Sequence, residues 1–288
     1  LPIFLEGIWK RRPKVIGFSC YIWNWKLIRE ILTELPKILP DTEIWLGGPE
    51  VTYDGPGLLS EFPQVTGIMV GEGEVTFREV LGQYVREAES TGQSEQQPEP
   101  DSIEQQAADR TGTLAGKSVA ERFGQIPGLC LASGYTAPRE LTDLTTLPFL
   151  YEDMEPFTNR IIYYETSRGC PYRCSYCLSS IDKKVRLRDI DVVKRELQFF
   201  LDQNVKQVKF IDRTFNCDHK HAMEIWEYIY KHDNGVTNFH FEISADILRE
   251  EEIVLLNRFR PGLAQLEIGV QSTNPETIRA IHRVMDVD

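Results

Sequence analysis

The chain has 288 residues, 41% of them hydrophobic and 26% charged, the balance of a soluble globular protein of about two domains. Its 44 acidic and 32 basic residues give a formal net charge of −12, spread along the sequence, so no nucleic-acid partner is expected. No apolar stretch approaches the ~20 residues that span a bilayer. The opening Leu1 to Leu5 lacks the basic start and cleavage site of a signal peptide, so no membrane partner is expected either.

The first elements alternate. Lys14 to Ser19 is a short apolar run ending in a small polar residue, which predicts a buried parallel strand. Lys10, Arg11 and Arg12 before it read as an exposed helix end. Apolar residues at 27, 28, 31, 32, 35, 38 and 39 have helical spacing, with Pro36 as a blemish near the end. Glu43 to Gly48 is a second strand entering a glycine pair. Val65 to Val70 is a third, ending at Gly71 and Gly73, and residues 74–86 read as a helix. Strand–helix alternation with glycines at the strand ends predicts a doubly wound α/β domain over residues 1–86, with ligands at the carboxyl ends.

From residue 87 the composition changes. The stretch to Ser118 has almost no aliphatic or aromatic side chain and too little to bury, which predicts a disordered insertion, taken to extend over 87–125. A strand is expected at 126–132 within a connector, 126–158. The alternation restarts in a domain over 159–288. Strands are expected at 163–166, 205–212, 238–244 and 264–272, and helices at 189–203, 218–232 and 250–258. A further helix begins at Asn274-Pro275-Glu276. Four consecutive β/α units predict a TIM-type β/α barrel, with chemistry at the C-terminal ends of its strands. The chain opens without methionine and ends inside an apparent helix, so it is read as a piece of a longer protein, its barrel incomplete.

The most informative residues follow the first strand of that second half. Cys170, Cys174 and Cys177 are separated by three and then two residues. Thiolates are soft ligands that suit iron–sulfur clusters or zinc, and structural sites of either kind want four. Three close thiolates without a fourth nearby imply a cubane with one iron open to substrate or cofactor, hence an enzyme. A thiolate cluster also needs reduced cysteines, which implies a cytoplasmic and anaerobic setting.

Cys-x3-Cys-x2-Cys after a first barrel strand, with Tyr176 before the third cysteine, resembles the signature of the radical S-adenosylmethionine (radical SAM) superfamily. The resemblance implies a 4Fe-4S cluster on Cys170, Cys174 and Cys177. SAM would chelate the open iron and be cleaved reductively to a 5′-deoxyadenosyl radical, with a reductant such as flavodoxin or ferredoxin as partner. It further implies SAM contacts at Asp212, Glu242, Ser244 and Gln271. Asp212 lies in a segment that departs from the family's Gly-Gly-Glu motif, and Gln271 lies in a run, Gly269-Val270-Gln271-Ser272, found in several subfamilies. On the residues alone, Asp212 could instead cap the next helix, and Glu242 could pair with a lysine inside the barrel. Arg168 and Arg173 could balance the cluster's charge.

The first half resembles the cobalamin-binding, flavodoxin-like domain that precedes the barrel in one radical SAM subfamily. That likeness places Ser19, Gly47, Gly48 and Gly71 around the cobalamin nucleotide tail, where a bulky side chain would fill the slot. The Asp-x-His-x-x-Gly motif of many cobalamin proteins is absent. Either its segment lies outside this chain, or the cobalt has no histidine beneath it. Trp9, Trp23, Trp25 and Trp45 could wall a planar ligand or fill core. His219 and His221 read as solvated and Cys217 as buried and inert, and a fourth cluster ligand would have to come from Cys217, Cys20 or His219. As a whole the motifs resemble an uncharacterised bacterial group of cobalamin-binding radical SAM proteins. The implied activity is methyl transfer to an unactivated carbon of a small-molecule or peptide substrate. The alternatives are a radical rearrangement or cyclisation, or a non-catalytic iron–sulfur module.

Overall fold

The computed structural model describes residues 1–90 and 117–286 and divides into two units, Leu1–Thr142 and Asp143–Asp288. In the first, helix α1 (Pro2–Arg11) precedes β1 (Val15–Ser19), α2 (Trp25–Ile38), β2 (Glu43–Gly47), α3 (Gly55–Glu61), β3 (Val65–Met69) and α4 (Glu74–Ser90). After α5 (Val119–Phe123), strands β4 (Leu129–Leu131) and β5 (Gly134–Tyr135) close the sheet in the order β1-β2-β3-β4-β5. The first three strands are parallel, with β4 and β5 antiparallel at one edge.

Alternation along β2 assigns the two faces. Ile44 and Leu46 bury against Ile28, Ile31, Leu32 and Leu35, the helical-period stripe of α2, and against Leu59 of α3. Trp45 points the other way, into a second cluster with Val80 of α4 and Phe123 of α5. Helices therefore cover both faces, as a doubly wound fold requires. Pro36 lies inside α2 and has no N–H to give the Leu32 carbonyl. The side chain of Gln64 supplies the missing donor, Nε2 to O at 2.8 Å.

The boundaries expected from composition shift here. Residues 91–116 of the expected insertion lie outside the described residues, but its flanks are structured. Helix α4 runs on to Ser90, and Ser118 and Glu121 form a reciprocal capping box on α5. Arg122, 8% exposed, bonds both oxygens of Glu87 at 3.0 and 2.9 Å and Glu43 at 2.7 Å. Polar composition alone could not distinguish a solvated segment from charged helix ends held by one arginine. The expected connector likewise divides, since residues 129–135 add two strands to the first sheet.

In the second unit, single 3₁₀ turns at Leu144–Thr146 and Glu155–Phe157 lead to β6 (Ile162–Tyr164). A two-residue pair, β7 (Ser167–Arg168) with β8 (Arg186–Leu187), brackets the cysteine loop. Then follow α6 (Ile190–Asp202), β9 (Gln207–Phe210), α7 (His219–Lys231), β10 (Asn238–Ile243), α8 (Glu250–Leu256), β11 (Ala264–Ile268) and α9 (Pro275–Ala280). The sheet order β11-β10-β9-β6 is all parallel, four consecutive units of a partial barrel.

One face of this sheet, with Ile162, Tyr164, Val208, Phe210, Phe239 and Phe241, packs on the helices through Phe200 of α6 and Trp226 of α7. Phe241 lies 4.5 Å from both Phe210 and Phe215, centroid to centroid. The opposite face carries charge where barrels more often carry branched apolar layers. Lys209 bridges Glu267 at 3.0 Å and Glu242 at 3.4 Å, and His240 Nε2 lies 3.0 Å from Glu267.

Candidate active site

The cysteine loop leaves the C-terminal end of β6 and returns through β8, so its base is a short antiparallel pair. Gly169 turns the chain at φ +97°. A Cβ there would stand 2.5 Å from the Lys184 carbonyl, so only glycine lets the two limbs close. The next N–H, of Cys170, donates to the Asp182 carbonyl at 2.9 Å and pins the limbs together.

Ties from the other three strands reach the loop and its neighbours. At the end of β9, Asp212 is fully buried and accepts from the Thr166 N–H at 3.2 Å and its hydroxyl at 2.9 Å. Burial pushes its carboxyl up to about 6, against the donors Ser167 and Thr166. Two residues on, Thr214 Oγ1 sits 3.6 Å from Cys170 Sγ. At the end of β10, the Ser244 backbone exchanges two bonds with the Asn216 amide, 2.8 and 3.0 Å, and its side chain meets the Tyr172 hydroxyl. Beyond β11, the guanidinium of Arg283 bonds the Gly269 carbonyl and reaches Cys174 Sγ at 4.0 Å and the Tyr176 hydroxyl at 3.4 Å. The Ser175 N–H donates to the Ile281 carbonyl at 2.9 Å, a second stitch from the same turn. The sequence did not single out Arg283. It is 109 residues from Cys174, and only the return of the chain after α9 brings it there.

The donor set fits a thiolate-held cluster. Cys170 and Cys174 are 8% and 6% exposed and Cys177 is half-buried; the Thr214 hydroxyl oxygen lies beside the first sulfur and the Arg283 guanidinium donates toward the second. Among the described residues no three His, Cys, Asp or Glu side chains converge around a single ion. A cubane makes a different demand, because each of its thiolates binds a different iron. Cys217 lies near Cys170, and burial, reinforced by Cys170 and by Asp212, pushes its thiol up to about 11.

The other residues expected at SAM divide. Asp212 does not cap α7; that falls to Asp218, whose Oδ1 accepts from the His221 N–H at 2.9 Å. Asp212 has no exposed surface and bonds Thr166 at the start of the cysteine loop. Glu242 pairs with Lys209, the alternative open from the sequence. Ser244 borders a cavity of about 140 Å³ whose lining includes Asp246, Gly269, Val270 and Arg283. Gln271 is exposed in the left-handed region at φ +59°, with its amide folded back toward Gly269. Arg168 is engaged by Glu165 at 2.7 and 3.0 Å, while Arg173 is exposed. His219, expected in solvent, instead bonds the fully buried Glu252 at 2.9 Å. His221 is buried, and burial lowers its pKa.

In the first unit, Ser19, Gly47 and Gly71 stand at or just past the carboxyl ends of the three parallel strands. Ser19 is exposed, and no atom comes within 4 Å of a Cβ placed on Gly71 or Gly73. Gly48 has a nearer reason to be glycine, since a Cβ there would stand 2.6 Å from the Cys20 carbonyl oxygen. The tryptophans do not form one wall. Trp45 is core, Trp25 packs edge-on to Phe62, and Arg12 covers the half-exposed Trp9. Trp23, 76% exposed and stacked on Tyr21, shares the carboxyl edge with exposed Ile22 and Tyr53. Open space over small residues, rimmed by uncovered apolar groups, fits a large ligand laid across these strand ends.

Comparison with known proteins agrees with both halves. The B12 binding domain family model matches residues 3–81 and that of the radical SAM superfamily matches residues 164–288. The architecture is thus a B12 binding domain followed by a radical SAM domain. Over 231 residues it is 27% identical to 2-(S-pantetheinyl)-carbapenam-3-carboxylate methyltransferase of Streptantibioticus cattleyicolor, covering 74% of this chain and 30% of that one. It is 24% identical to the anaerobic magnesium-protoporphyrin IX monomethyl ester cyclase of Rubrivivax gelatinosus, over 93% of this chain and 45% of that one. The fold also matches the radical SAM methyltransferase TsrM of Kitasatospora setae, with a TM-score of 0.64 at 19% identity, over 96% of this chain and 52% of that one. The chain thus spans about half or less of the length of these proteins. Among the described residues no helix is long and apolar enough to cross a membrane.

Proposed function

We propose that this chain is the cofactor-binding part of a cobalamin-dependent radical SAM methyltransferase acting on an unactivated carbon. The observation that carries the reading is the loop of Cys170, Cys174 and Cys177 at the carboxyl edge of a parallel β/α sheet, with a guanidinium directed at one of its sulfurs. When bound, a 4Fe-4S cluster supplies the electron that cleaves SAM to methionine and a 5′-deoxyadenosyl radical, and cobalamin supplies a methyl carrier. The chain's own residues prepare for this. Asp212 and Gly169 fix the ends of the loop, Arg283 stabilises negative charge on the Cys174 sulfur, and Ser244 and Gln271 are offered as SAM contacts. Ser19, Gly47, Gly48 and Gly71 are the proposed cobalamin ledge. A flavodoxin or ferredoxin is the proposed reductant.

Anaerobic reconstitution tests the reading. About four irons per chain are expected, with an electron paramagnetic resonance signal of the reduced protein that changes when SAM is added. A Cys170→Ala, Cys174→Ala, Cys177→Ala variant that still cleaves SAM would refute it. A second reading, radical cyclisation without methyl transfer, is favoured by the cyclase relative that aligns with 93% of this chain. Isotopically labelled SAM separates the two, because only methyl transfer moves its label into product.

A further inference from the structure

An acidic protein (net charge −12) is expected to present an acidic or mixed surface near its reaction centre. Outside the cysteine loop the opposite holds. A cleft of about 600 Å³ lies between residues 171–173, the stretch linking Cys170 to Cys174, and the turn that follows α9. Arg173, Arg279 and Arg283 line it together with His282, and no lining residue is acidic. Arg173 and Arg279 are exposed. Arg283 spans the wall: it lines the cleft and also reaches Cys174 Sγ at 4.0 Å. A group docked here is therefore one side chain away from a cluster ligand.

We infer that this cleft is the docking surface for an acidic one-electron carrier protein that reduces the cluster. The inference rests on the proposed function, which needs an electron from outside the chain. A carrier with a carboxylate-rich rim finds two exposed guanidinium groups, of Arg173 and Arg279, that donate to carboxylates in planar pairs. The local reversal of sign steers it to this face of a molecule that repels it elsewhere. In the step itself one electron passes from the reduced carrier to the cluster, and no bond forms or breaks.

The test is stopped-flow reduction of the reconstituted chain by reduced flavodoxin, compared with dithionite, in wild type and in an Arg173→Glu, Arg279→Glu variant. Neither substituted residue touches a cysteine sulfur. With flavodoxin the second-order rate constant of wild type is expected to fall as salt is raised, and that of the variant to be lower by about tenfold or more at low salt. With dithionite, a small anion that needs no docking, the variant should lose far less than it does with flavodoxin. Equal flavodoxin rates overturn the inference. So does an equal slowing by dithionite, itself an anion, which would mean that the cleft only concentrates small anions. A lowered melting temperature of the longer protein with unchanged rates would give the cleft to another segment of the same protein, and overturns it too. If the glutamate pair does not fold, Arg173→Gln, Arg279→Gln is read the same way, with a smaller expected fall. A wild-type chain that takes up no cluster refutes the function itself, whereas a loaded wild type matched by its variants refutes only the docking.

Discussion

Replacing Asp212 by asparagine should make the second unit less sensitive to pH, in a direction opposite to that of a salt-bridged carboxylate. Burial raises its carboxyl from 3.8 to about 6 in the folded chain, in spite of the donors from Thr166 and Ser167. The folded state therefore holds the proton more tightly than the unfolded state. The associated stability is complete below about pH 4, is lost as pH rises through about 6, and stays lost above that. A shift of about two units at 1.36 kcal/mol each gives about 3 kcal/mol. Asparagine keeps an oxygen for Thr166 and carries no charge. The stability difference between the variant and wild type should thus move by about 3 kcal/mol in favour of the variant between pH 4 and pH 7. Urea unfolding of the apo protein at stepped pH, followed by hydrogen exchange of the peptide around Thr166, reads that difference while other titrations cancel. A difference that stays flat across the range would mean that the carboxylate is satisfied by its donors, and the burial argument would be wrong. Asp212→Ala, which orphans the Thr166 N–H, should instead destabilise the loop at all pH by about 1–3 kcal/mol and impair retention of iron.

The remaining predictions concern other single side chains. Arg283→Gln removes a cationic donor from Cys174 and should make the cluster harder to reduce, by about tenfold in the reduction equilibrium, or 59 mV for one electron; an unchanged midpoint in a fully loaded variant would leave Arg283 a purely mechanical clip. Arg122→Met strands Glu43 and Glu87 in partly buried positions and should cost the first unit about 3–5 kcal/mol, measurable as a lower urea midpoint. Gln64→Ala leaves the Leu32 carbonyl without its donor and should cost about 1–3 kcal/mol. Pro36→Ala restores a helical N–H for that carbonyl, so the double variant should recover most of the loss; strictly additive effects would show that the two residues do not share one acceptor.

The parts of this protein that could be read in advance are those encoded by local periodicity. The apolar spacing of α2, the glycine-ended strands β2 and β3, and the four β/α repeats from Ile162 onward each depend on neighbours within a few residues. What stayed hidden depends on partners far away in sequence. Arg122 holds Glu87 across 35 residues, and from composition alone Glu87 looked like the start of an unstructured stretch. Asp212 stood as a SAM contact through the family resemblance of its segment, with a helix cap as the alternative. Its burial beneath the Thr166 donors becomes visible only when β6 and β9 lie side by side. His219 at a helix start gave no sign of the buried Glu252 that receives it from the next helix.

The ties to the cysteine loop also explain a feature that the metal chemistry alone does not. Three thiolates on a loop of eight residues could be gathered by the cluster itself, as many metal sites gather their ligands. Here the chain does much of that gathering beforehand. Cys170 is fixed from its own loop through Asp182 and has Thr214, four residues past β9, beside it. Tyr172 is met from β10 through Ser244, and Cys174 and Ser175 are met from beyond β11 through Arg283 and Ile281. Cys177 has only the short turn back to the Cys174 carbonyl. The loop is therefore ordered from its N-terminal side, and Cys177 is the ligand with the most freedom to adjust. Loss of its thiolate should leave the rest of the loop in place, whereas loss of Asp212 or Arg283 should loosen ligands that each retain their sulfur. Iron binding measured beside hydrogen exchange of the loop separates those two kinds of failure.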